Sequence, residues 1–101
     1  MQQESAEHTR RLSPTIVAML RKDLPEQLAA CHEYLDAGES GLLAQEVHRI
    51  KGTAAFCGFD AMRTQCSRIE EGLQAKQAER ELRDSLHALE EETLVVLRAL
   101  P

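Results

Sequence analysis

The chain has 101 residues, 12 Lys plus Arg against 17 Asp plus Glu for a formal net charge of −5, and 43% hydrophobic residues with only three aromatics, Tyr34, Phe56 and Phe59. That length allows one domain, and the acidic balance argues against nucleic acid, whose phosphates are neutralised by basic residues. Without Trp the core must come from Leu, Ile, Val, Met and Ala, which favours helices over sheets.

Residues 1–12 are polar and weakly patterned and read as a loose terminal segment, leaving 13–101 as the folded unit. Ser13 and Pro14 supply a cap and a first helical residue, after which Ile16, Leu20, Leu24, Leu28, Cys31 and Leu35 recur at spacings of three and four. Pro25 interrupts this pattern. An interior proline removes a hydrogen bond and clashes with the preceding turn, so a kink or break is expected near Asp23 to Pro25. Gly38 ends the segment. Leu43, Val47, Ile50, Ala54 and Cys57 form one stripe of a second helix that stops at Gly58. Asp60 is expected to cap a third, carrying Met62, Cys66, Ile69 and Leu73 and ending near Lys76. A fourth runs from about Ala78, with Leu82, Leu86, Leu89, Thr93, Val96 and Leu100 on one face and the acidic run 90–92 mostly facing out. Four amphipathic helices with short joints predict an all-α, antiparallel up-down-up-down four-helix bundle with a short or kinked N-terminal helical extension.

Cys31, Cys57 and Cys66 are odd in number and lack C-x-x-C spacing, so neither a disulfide framework nor a zinc knuckle is signalled. They read as small buried apolar residues in a reducing, cytoplasmic setting. No apolar run approaches the ~20 residues of a membrane helix. His8, His32 and His87 have no partners at ligand spacing, so each reads as a surface residue and no metal site is expected.

His48 is the residue that packing does not explain. The second stripe passes through Val47 and Ile50, which turns His48 about 100° away from the core. At helical spacings from it lie Ala44, Lys51, Gly52 and Ala55, small side chains with one cation. A glycine inside a helix costs ~1 kcal/mol relative to alanine, so Gly52 implies a packing reason or the close approach of another molecule. A largely neutral imidazole at pH 7 has a nucleophilic ring nitrogen that can accept a phosphoryl group. Lys51 would offset the added charge, and Glu70 on the third helix is the candidate acceptor for the other ring N–H.

The run His48-Arg49-Ile50-Lys51-Gly52, with Gly58 ten residues after the histidine, Cys66 eighteen after and Glu70 twenty-two after, resembles the histidine-containing phosphotransfer (HPt) domain of two-component phosphorelays. The likeness is close over 43–73 and generic elsewhere; Val47 stands where alanine is more usual and Met62 where leucine is frequent. The resemblance implies a phosphoryl carrier: His48 receives the group from the aspartate of one receiver domain and passes it to that of another. It implies no ATP site and no cofactor of the domain's own, with Mg2+ on the partner receiver. Relatives occur as separate proteins and as the last domain of hybrid sensor kinases, whose membrane anchor lies elsewhere in the chain.

The partner surface expected from helical geometry takes Ala44, Gln45, Arg49 and Ala55 from the second helix around His48, Lys51 and Gly52. Arg63, Ser67 and Gln74 join Glu70 from the third, and small residues at the centre with charges at the rim suit transient docking of a monomeric domain. The alternative is a helical module that binds receiver domains without being phosphorylated. A catalytic or metal-containing bundle would need inward Glu-x-x-His pairs, and the nearest such spacing, at Glu4, Glu7 and His8, lies in the terminal segment.

Overall fold

In a computed structural model the described residues, 12–101, form four α-helices and no strand: α1 (Pro14–Asp36), α2 (Ser40–Cys57), α3 (Asp60–Gln74) and α4 (Glu79–Ala99). The expectations for residues 1–11, including His8, lie outside these. Leu12 is partly buried against the core. The Ser13 hydroxyl accepts from the Ile16 amide at 3.2 Å with Pro14 in the first turn, as the sequence predicts for the start of α1.

Of the kink or break expected near Pro25, the break does not form: α1 runs unbroken from Pro14 to Asp36, with no separate N-terminal helix among the described residues. Pro25 sits on the exposed face, and the carbonyl its missing N–H orphans, four residues back at Arg21, also belongs to an exposed residue open to water. Leu24 and Leu28 stay buried on the opposite face, so core packing holds the helix together through the proline. The buried stripe of α1 differs from the expected one at its start, where Val17 is buried and Ile16 only packs partly against the core.

Each helix packs on its chain neighbours, and α1 also packs on α4, closing a ring of four around one core. Arg21, in the N-terminal half of α1, donates to the carbonyls of Leu100 and Pro101 at 3.2 and 3.0 Å. At the other end Arg83 reaches Asp36 at 2.8 Å and Glu79 at 3.0 Å. Thus α1 and α4 run in opposite directions, tied at both ends.

The core uses the predicted stripes. Leu43, Val47, Ile50 and Ala54 of α2 meet Met62, Cys66 and Ile69 of α3, with Leu86 and Leu89 of α4, and all are essentially inaccessible. Thr93 is buried too, its hydroxyl donating to the Leu89 carbonyl at 2.8 Å. The three cysteines are free and buried, and burial pushes the thiols of Cys31 and Cys66 up to about 12. Asp60 is not the cap of α3. It is the first helical residue, and Phe59, whose ring is buried in the core, takes the cap position without a side-chain hydrogen bond. Anchoring the ring decides where the turn ends, and an acid in the first turn still suits the helix dipole.

Candidate functional site

The register of α2 that buries Val47 and Ile50 leaves the His48 side chain 79% exposed. Its ring is nonetheless held: Nδ1 lies 3.2 Å from Oε2 of Glu70 on α3. The other carboxylate oxygen, Oε1, accepts from Lys51 Nζ at 2.8 Å. One carboxylate at the edge of the α2–α3 seam therefore meets both an imidazole and an ammonium from successive turns of α2.

Lys51 beside Glu70 holds its carboxyl below the usual carboxylate range; partial burial opposes this and the hydrogen bond with His48 adds to it. An ionised carboxylate can only accept hydrogen bonds. The proton of a neutral His48 ring facing it therefore sits on Nδ1, and the lone pair of Nε2 is left for an incoming group. Lys51, one turn from His48, donates to Glu70 and so stands beside both the carboxylate and the imidazole.

Gly52 is exposed, and a Cβ built on it meets nothing within 4 Å. Packing within the domain gives no reason for a glycine there. Gly72, which the sequence reading passes over, is the buried one, and a Cβ there would press on Gln77 and on Leu82 Cδ2 at 3.1 Å.

Of the expected partner residues, Ala44, Ser67 and Gln74 line one open groove along the α2–α3 seam with His48, Lys51 and Glu70. Gln45 and Arg49 line a second on the other side of the histidine. Arg49 also stands 3.7 Å from the buried Glu46. Ala55 and Arg63 are exposed but line neither groove, and Arg63 lies 3.7 Å from Asp60.

A third depression, between α1 and α2, contains Gly52 with Met19 and Phe56. These two are 55% and 80% exposed, large apolar side chains left on the surface next to the glycine. Sequence reasoning missed them as surface residues. The signal in Phe56 was its place one residue before Cys57 of the core stripe; Met19 is brought to the same surface only by the packing of α1 on α2.

The structure also overturns the expectation that His32 and His87 lack partners. His32 of α1 and His87 of α4 have ring centroids 5.4 Å apart, and His32 Nε2 lies 3.5 Å from Glu90 Oε2. Residues distant in sequence meet there because α1 packs on α4.

The family model described as the Hpt domain matches residues 15–98. The chain belongs to the Hpt domain family. Hpt domains carry out histidine phosphotransfer in two-component signalling; they are phosphoryl carriers, not enzymes with ATP sites, and they interact with receiver domains. The match spans all four helices, beyond the 43–73 stretch where the sequence motif is concentrated. No curated protein and no solved structure matches the chain significantly. None of the helices of this Hpt domain is long and apolar enough to cross a membrane, among the described residues.

Proposed function

We propose that this Hpt domain is a phosphorelay intermediate in which His48 accepts a phosphoryl group from the aspartate of one receiver domain and passes it to the aspartate of another. The observation that carries this reading is an exposed His48 whose Nδ1 lies 3.2 Å from an ionised Glu70. In the forward step the Nε2 lone pair attacks phosphorus, the P–N bond forms, and the acyl P–O bond breaks with the receiver carboxylate leaving; transfer onward is the reverse on a second receiver. Mg2+ belongs to the receiver, and His48 chemistry needs no cofactor from this domain. Glu70 orients the imidazole. Lys51 fixes the Glu70 carboxylate through their 2.8 Å hydrogen bond and, one turn from His48, offsets the charge of the phosphoryl group.

In this reading the four helices stand in up-down-up-down order, which puts α2 and α3 side by side as the docking face. Gly52 admits the receiver's backbone, Ala44, Gln45, Arg49, Ala55, Arg63, Ser67 and Gln74 surround the histidine, and Met19 and Phe56 extend the face with apolar surface. The domain acts as a monomer in the cytoplasm. The test is transfer itself: the domain is incubated with a phosphorylated receiver and Mg2+, and intact mass is read for an acid-labile phosphoryl group. The label is expected on the parent and absent from His48→Gln. No label across a panel of receivers that do phosphorylate another Hpt domain would leave the domain as a binding module.

A further inference from the structure

We propose that His32, His87 and Glu90 form a binding site for one divalent transition-metal ion of Zn2+ type, joining α1 to α4 on the pair of helices that does not carry His48. Each of the three offers one ligand atom, and these atoms all lie within 4.8 Å of one another. Tetrahedral zinc with bonds of about 2.0–2.1 Å places its ligand atoms about 3.3 Å apart. His32 Nε2 and Glu90 Oε2 stand 3.5 Å apart, close to that separation without any movement. His87 is exposed, so its ring is free to turn the rest of the way.

The way the site is held supports a ligand set over a chance encounter. His87 and Glu90 are three residues apart on α4 and so share one face of that helix. His32 comes from α1 opposite them, and α1 is tied to α4 at both ends by Arg21 and Arg83. Among the described residues no lysine or arginine pairs with Glu90, whose one ion-pair partner is His32. The carboxylate therefore has its charge available for a cation.

The chemistry of the set selects the class of ion. Two imidazoles and one carboxylate suit Zn2+, Co2+ or Ni2+, whereas Mg2+ and Ca2+ prefer oxygen ligands alone. The cluster is only half-buried, which leaves room for water to complete the coordination. Cys31, next to His32 in the chain, points into the core and does not contribute a ligand. Because metal bound only to the folded state favours that state, occupancy would stabilise the bundle.

Zinc titration of the whole chain under reducing conditions tests the site, with calorimetry for stoichiometry and melting temperature for linkage to folding. The parent is expected to bind one Zn2+ and to melt at a higher temperature when it is bound. His87→Gln alters an exposed residue and keeps the helical circular-dichroism signal; it should weaken zinc binding by more than about tenfold and abolish the rise. His48→Gln should leave both unchanged, which separates this site from the phosphotransfer reading. With Co2+ as probe the parent should show visible d–d absorption that Glu90→Gln weakens. Absence of zinc binding by the parent, or binding by His87→Gln as tight as the parent's, would overturn the proposal.

Discussion

Glu70 bears more of the site than its place at the edge of the α3 stripe suggests, because its two oxygens face His48 and Lys51 separately. Its carboxyl is held below the ordinary glutamate range, first by the Lys51 hydrogen bond. A carboxyl lowered in the folded state contributes stability above the unfolded value, and that contribution is lost as the pH falls through the lowered one. Glu70→Gln should therefore flatten the fall in melting temperature as the pH drops through and below the ordinary glutamate range; parallel curves for parent and variant would mean that the pairing adds nothing to stability. Gly52 is the opposite kind of residue, with open space where its side chain would be. Gly52→Gln should leave the fold intact, and even raise the melting temperature, since glycine is worse in a helix by about 1 kcal/mol. Transfer from a receiver should drop by about a hundredfold, as misplacement of the reacting groups by a small distance can cost that much. A variant that transferred at the parental rate would remove the close-approach role.

The helix ends show how local rules and packing share control of an element. Three helices close the same way: the amides of Glu39, Phe59 and Gln77 donate back to the carbonyls of Tyr34, Ala54 and Gly72 at 2.9, 2.8 and 3.0 Å. This closure puts the preceding residue in the left-handed region. Gly38 and Gly58 adopt it with φ of 71° and 77°, and Lys76 adopts it with φ of 55°. A side chain there costs about 1 kcal/mol or more. Lys76→Gly should raise stability by about 1 kcal/mol, read as an upward shift in the midpoint of denaturant unfolding with unchanged slope; no shift would mean the turn is unstrained with lysine. Glycine as a stop signal was legible at Gly38 and Gly58, and for the same reason the end of α3 was harder to place. Pro25 signalled a break that does not form, since its propensity cost is local while Leu24 and Leu28 are buried in the core shared with the other helices.

Two of the seams in the ring of helices bring polar side chains of different helices together. The α2–α3 seam holds the imidazole, carboxylate and ammonium of the proposed transfer site, with open grooves on either side of His48. The α1–α4 seam is tied at its ends by Arg21 and Arg83 and brings His32 to His87 and Glu90 between them. The proposed relay role needs the histidine in a fixed place on a surface that two partners can visit in turn. Burial of aliphatic side chains from all four helices around one core provides that fixed frame.

The helical class, the four stripes and the position of His48 off the second stripe were all present in the order of residues, because a period of 3.6 residues assigns each side chain to a face. The spacing of His48, Lys51, Gly52, Gly58 and Cys66 was enough to reach the family whose model matches residues 15–98. Contacts between elements were another matter. Spacing nominated Glu70, but its shared hold on His48 and Lys51 depends on how α3 is rotated against α2. The exposure of Met19 and Phe56 beside Gly52 depends on how α1 lies on α2. His32 lies 55 positions before His87 in the chain, and only the packing of α1 on α4 makes them neighbours. Periodicity names the face of a helix on which a residue lies; which faces meet, and at what height, is decided by the fit of side chains across the core.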